Sequence, residues 1–173
     1  MLKHMDLPGI RVKSVAELAQ IKGLILPGGE STTFIKLLHN SGLYQPLLES
    51  IKNGLPVMAT CAGIILLASK VFQPNQEGMG LLRAHVRRNG YGRQLDSFCE
   101  EVRIESFEET FRAVFIRAPL VEWVDPEVNI LARDSSGHPI FIKDKNIWGL
   151  TFHPELTEDD RIHRSFIQEI SKD

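Results

Sequence analysis

Apolar residues in this chain fall into short blocks closed by glycine or proline, and the blocks alternate between strand-like and helix-like spacing. Residues 14–20 suit a short helical turn. Gly23-Leu24-Ile25-Leu26 is an apolar run cut off by Pro27-Gly28-Gly29, which predicts a buried strand. From Ser31 or Thr32 to about His39 the spacing is helical, with Phe34, Leu37 and Leu38 on one face. A second helix is expected over 47–53, closed by Gly54. Residues 56–60 read as another buried strand, and 64–69 as the helix that follows it. Strand spacing then dominates, at 81–87, 102–107, 114–117, 130–132, 139–143 and 147–152, with a turn cluster at Asp134-Ser135-Ser136-Gly137. A final helix opens at Thr157-Glu158-Asp159-Asp160, with Thr157 as its N-cap, and sets Ile162, Phe166 and Ile170 on one stripe. The pattern predicts an α/β fold in three layers. Helices cover both faces of a mainly parallel, doubly wound sheet, with hairpin-like antiparallel strands added toward the C-terminus.

Length and charge narrow the function. A chain of 173 residues with no internal repeat and no long linker suits one domain over 1–173. A net charge of −2 gives no electrostatic case for a nucleic-acid or membrane partner. The N-terminal residues lack the apolar run of a signal peptide, and the mostly apolar stretch 55–68 is too short to span a bilayer. Two cysteines, Cys61 and Cys99, cannot build a disulfide framework, so a reducing, cytoplasmic setting is expected. The histidines show no metal-ligand spacing, and no metal site is expected.

Three stretches carry chemistry. Cys61 stands between an apolar strand and an apolar helix, followed by the small residues Ala62 and Gly63. This is the context of a nucleophile elbow, where a helix N-terminus favours thiolate and the Ala62 N–H points to where an oxyanion forms. The same context also suits a small buried hydrophobe. His153-Pro154-Glu155 ends a strand. Positions i and i+2 face one side there, so Glu155 could fix the His153 tautomer as a triad acid does. A surface loop with an incidental His and Glu reads the same way. Pro27-Gly28-Gly29-Glu30-Ser31-Thr32 joins a strand to a helix and permits close approach of backbone to a ligand. It matches neither a phosphate-binding loop nor a dinucleotide fingerprint, and by itself it reads first as a plain strand–helix turn. The basic segment 87–94 is a solvated turn or, through Arg93, a carboxylate clamp. Cys99 has no such setting and is expected to be the unreactive thiol.

In order along the chain, Leu24-Ile25-Leu26-Pro27-Gly28-Gly29-Glu30-Ser31-Thr32-Thr33, Thr60-Cys61-Ala62-Gly63-Ile64-Ile65-Leu66-Leu67-Ala68, Arg87-Arg88-Asn89-Gly90-Tyr91-Gly92-Arg93-Gln94, Phe115-Ile116-Arg117-Ala118-Pro119 and Phe152-His153-Pro154-Glu155-Leu156-Thr157 resemble one family closely. It is the glutaminase subunit family of pyridoxal 5′-phosphate synthase, among the class I, triad-type glutamine amidotransferases. The resemblance implies that Cys61, His153 and Glu155 are catalytic and that L-glutamine is the substrate. Gly29, Glu30, Ser31, Arg93, Ile116 and Arg117 would bind it, with Gly29 and Ala62 forming the oxyanion hole. It implies no cofactor, and a separate (β/α)8-barrel synthase subunit that receives the ammonia for vitamin B6 synthesis. The family's opening strand and Gly-x-Gln-Gly loop have no counterpart here. The resemblance therefore implies a sheet lacking its first strand and a domain shortened at the N-terminus. The alternatives are an interaction subunit impaired in catalysis by that loss, and another Cys-His-Glu hydrolase on the same fold.

Overall fold

The computed structural model describes residues 2–5, 7–91 and 97–171. In chain order its first half holds α1 (Val15–Leu18), β1 (Leu24–Leu26), α2 (Ser31–Asn40), α3 (Tyr44–Lys52), β2 (Val57–Thr60), α4 (Ala62–Leu67), β3 (Ala68–Phe72) and β4 (Leu82–Arg87). The second half holds β5 (Ser97–Val102), β6 (Phe111–Ile116), β7 (Leu120–Val124), β8 (Asn129–Arg133), β9 (Pro139–Asp144), β10 (Ile147–Leu150) and α5 (Arg161–Ile170).

The main sheet has the order β1-β2-β10-β9-β8. β1, β2 and β10 run parallel, while β9 and β8 are antiparallel to their neighbours. Two smaller sheets, β3-β4-β7 and β5-β6, stand apart from it. The sheet is thus mixed rather than mainly parallel. The tight β9–β10 turn forces an antiparallel pair where a helical crossover would have made a parallel one.

Alternation along the strands sorts the core into two faces. Val57, Ala59 and Ile147 join α3 and α4 residues such as Ile51 and Leu66 on one side. Met58, Trp148 and Leu150 meet Ile162 and Phe166 of α5 on the other. Helices therefore cover both faces, as expected.

Several boundaries differ from the sequence reading. α3 begins at Tyr44, because Pro46 is tolerated in a first turn whose N–H groups lack helical partners anyway. Residues 68 and 69 leave the helix for β3. The strand expected over 102–107 lies earlier, at β5. Residues 104–107 form a turn (Phe107 N–H to Ile104 carbonyl, 2.9 Å) that drops Ile104 into the core. β6 stops at Ile116, and β7 had no counterpart in the reading. The last helix starts at Arg161, since the Thr157 hydroxyl is bonded back to the Pro154 carbonyl at 3.0 Å. On α2 the buried side is Phe34, Ile35 and Leu38, whereas Leu37 is 61% exposed.

β1 is an edge strand, and among the described residues nothing pairs with its outer side. A cavity of about 960 Å³ lies there, between β1, the segment 7–12 and α5.

Among the described residues no helix is long and apolar enough to cross a membrane.

Candidate active site

Cys61 closes β2 and opens α4. Its backbone sits at φ 49°, ψ −104°, a region that a side chain enters only under compulsion. The compulsion comes from the sheet: the Cys61 N–H donates to the Leu150 carbonyl of β10 at 2.9 Å. The turn leaves the side chain at the C-terminal edge of the sheet and 8% exposed. Its sulfur lies 3.8 Å from the Ile116 carbonyl oxygen at the end of β6.

His153 follows β10, with its N–H held by the Val114 carbonyl at 2.8 Å. Its Nδ1–H donates to Oε1 of Glu155 at 2.8 Å, since a carboxylate can only accept. Hydrogen bonding to the Cys61 sulfur, and then to Glu155, outweighs burial and raises the ring from 6.5 to about 10. Burial pushes Glu155 up, but the His153 hydrogen bond leads the interactions that hold its carboxyl below the ordinary range. The expected triad residues are brought together, with the acid fixing the ring.

Gly28 presses against this pair. A Cβ built on it would stand 2.4 Å from Cε1 of His153 and 3.4 Å from the Cβ of Cys61. Gly29 next to it has φ +152° and open space around it. The Glu30 carboxylate caps α2, accepting from Thr33 N–H at 2.7 Å and Thr32 N–H at 3.2 Å, and takes Arg88 Nη2 at 3.2 Å. The Thr32 and Thr33 bonds hold it at about 2, well below the carboxylate range. The Ser31 hydroxyl is buried and donates to Gln76. Both side chains are therefore committed within the fold, and a ligand at this loop would meet mainly backbone.

Arg117 follows Ile116 with φ 44°, beside the Cys61 sulfur. Arg93 lies outside the described residues. Tyr91, two positions before it, is a core anchor. Its hydroxyl donates to Asp134 at 2.8 Å and its ring packs on Phe98 and Phe115.

Sequence reasoning missed three neighbours. Gly28 looked like part of a turn, and only the fold brings His153 to it. Gln76 sits in a loop without pattern. His163 is 3% exposed on α5, beside the apolar stripe. Its Nδ1, Glu155 Oε2 and Thr60 Oγ1 are buried without hydrogen-bond partners among the described residues, and all three residues line the cavity beside β1.

The profile of the SNO glutamine amidotransferase family matches residues 1–172. A pyridoxal 5′-phosphate synthase subunit PdxT from Fervidobacterium nodosum is 47% identical over 172 residues, 99% of this chain and 90% of that protein. The PdxT subunit of Kosmotoga olearia is 49% identical over 161 residues, 92% of this chain and 83% of that one. A crystal structure of a glutamine amidotransferase superposes with a TM-score of 0.92 at 38% identity, covering 98% of this chain and 90% of the other. A strained Cys61, a histidine held by an acid and matches of this extent agree: the chain belongs to the SNO glutamine amidotransferase family.

Proposed function

We propose that the protein hydrolyses L-glutamine and passes the ammonia to a pyridoxal 5′-phosphate synthase subunit, a (β/α)8 barrel. The observation that carries this is the Cys61–His153–Glu155 arrangement, with the ring held by the acid at 2.8 Å and packed with the strained Cys61 against Gly28. His153 takes the Cys61 thiol proton, and the sulfur attacks the side-chain amide carbon of glutamine. The carbon–oxygen electrons move onto oxygen, which the Gly29 and Ala62 N–H groups receive. Ala62 opens α4, so helix geometry leaves its N–H without an intrahelical partner. His153 gives its proton to the departing nitrogen, the C–N bond breaks, and a glutamyl thioester and ammonia result. Neutral His153 then takes a proton from water, whose oxygen attacks the thioester. Glutamate leaves and the proton returns from His153 to the sulfur. Glu155 keeps the ring oriented throughout.

In this reading the Gly29-Glu30-Ser31 loop holds one side of the substrate mainly through backbone. Arg93, Ile116 and Arg117 hold its amino-acid end. The domain spans 1–173. Two free cysteines suit a reducing compartment, and we place the protein in the cytoplasm.

The test is ammonia release from glutamine by this chain, with and without added synthase subunit. Turnover that appears with the partner and disappears in Cys61→Ala supports the reading. A chain that binds the synthase yet releases no ammonia is an interaction subunit instead.

A further inference from the structure

One side-chain oxygen ties together the two loops that flank the proposed glutamine site. Oε1 of Gln76 accepts from the Ser31 hydroxyl at 2.8 Å and from Arg88 Nη1 at 3.1 Å. The orientation of the amide follows from its partners. Arginine can only donate, so the atom facing Arg88 must be the oxygen. The cost is visible on the other side, where Nε2 of Gln76 is buried with no partner among the described residues. A buried amide that leaves its donor unsatisfied to present its acceptor is held for what the acceptor does.

The two donors come from different parts of the chain. Ser31 is the first residue of α2, two positions after Gly29, and is 1% exposed. Arg88 follows β4 and leads into the segment that carries Arg93. Arg88 also reaches the Gly29 loop directly, through Nη2 to the Glu30 carboxylate at 3.2 Å.

Gln76 itself sits on a firm base. The loop around it is bonded to the helix that begins at the nucleophile, by Met79 N–H to the Leu66 carbonyl at 2.7 Å and Leu81 N–H to Leu67 at 2.9 Å. A bridge to Val71 of β3 holds its own backbone. The chain of contacts runs from the Cys61 helix through Gln76 to Ser31 and Arg88. It fixes the Gly29 loop and Arg88 relative to the helix that carries the nucleophile.

We infer that Gln76 is a positioning residue for glutamine: it touches neither substrate nor triad, and it holds the Gly29-Glu30-Ser31 loop and Arg88 in place against the helix that begins at Cys61. This rests on the glutamine-site reading above. Losing the oxygen loosens that loop and leaves the nucleophile intact, so binding suffers and chemistry does not. Glutamate at this position keeps an acceptor for both donors, while alanine removes it.

The test uses the full chain with synthase subunit added. Gln76→Ala is expected to raise KM for glutamine about tenfold, the scale of one lost hydrogen-bond node, with kcat within about twofold. Gln76→Glu is expected to restore KM to near the wild-type value. In parallel, Cys61 is labelled with a diazoketone analogue of glutamine and with iodoacetamide. Gln76→Ala should slow the first reagent about tenfold and leave the second unchanged. Equal slowing with both, or a fall in kcat at constant KM, would show a merely structural role and overturn the inference. Normal diazoketone labelling in Gln76→Ala would also overturn it, with the glutamine reading left standing. A wild-type chain that the diazoketone does not label at Cys61 would sink both together.

Discussion

Gly28 and His153 meet so closely that no side chain fits between them: a Cβ at position 28 would lie 2.4 Å from Cε1 of the imidazole. Gly28→Ala must therefore move the ring, the turn, or both. Displacing a catalytic group by about 1 Å costs roughly a hundredfold in rate. Ammonia release should fall by about that factor, with the unfolding midpoint little changed, because the turn lies at the sheet edge. Activity above about a third of wild type would mean the ring has room that the packing denies it.

Cys61→Ala should abolish glutamine turnover while leaving docking on the synthase in place. It should also lower His153, because the sulfur is the largest cause of the ring's rise to about 10. Imidazole signals followed by NMR titration should show His153 moving toward its ordinary 6.5, held above it by Glu155 alone. An unchanged titration would remove the sulfur–imidazole contact from the site. Alkylation separates the two thiols. Cys61, beside His153, should react faster than Cys99, although Cys99 is exposed and has Arg112 Nη2 at 3.8 Å.

Two histidines push stability in opposite directions with pH. The fold favours protonated His153, so its contribution is complete below about pH 6.5 and is lost as pH rises through about 10. The fold favours neutral His163, whose burial lowers it, so its contribution is present above about pH 6.5 and is lost on acidification. Thermal unfolding across pH should show the alkaline loss shrinking in His153→Asn and the acid loss shrinking in His163→Leu. The leucine variant should match or exceed wild-type stability at neutral pH, because it removes a buried nitrogen without a partner. Identical acid limbs in wild type and His163→Leu would count against a neutral, buried His163.

Asp144 is 3% exposed and fastens β9 to β4, accepting from the Arg83 N–H at 3.0 Å and from Nη2 at 2.8 Å. Removing one member of a buried pair costs about 3–5 kcal/mol, and Arg83's partial exposure points to the lower end. Asp144→Ala should lower the unfolding free energy in urea by about 3 kcal/mol. Asp144→Asn, which keeps an acceptor for the backbone N–H, should lose less. A loss below about 1 kcal/mol in the alanine variant would mean that the main sheet and the β3-β4-β7 sheet are joined by packing alone.

Local patterns made much of this molecule legible. Blocks such as Leu24–Leu26 and Val57–Thr60 are short, mostly apolar runs marked off by proline, Pro27 after the first and Pro56 before the second, so they stand out as strands. The elbow at Cys61 and the pair His153 and Glu155 are likewise short-range patterns. Features that depend on distant partners did not show. β7 pairs with a strand more than thirty residues earlier, and β5 is half-exposed with two adjacent charges, Glu100 and Glu101, that blur its alternation. Gly28 gains its meaning from His153, and Gln76 from Ser31 and Arg88. Thr157 has the sequence setting of a helix cap, since acids follow it, but the turn at Pro154–Leu156 claims its hydroxyl.

The space beside β1 bears on catalysis as well as folding. Glu155 and His163 form part of its wall, so whatever fills it sets the solvation of the acid from behind. Water there would hydrate the carboxylate and screen its attraction to His153. An apolar or strand-like filling would expel that water, lower the local dielectric and tighten the grip on the ring. Occupancy of a sheet edge would then act as a dial on the basicity of His153, with no residue of the triad having moved.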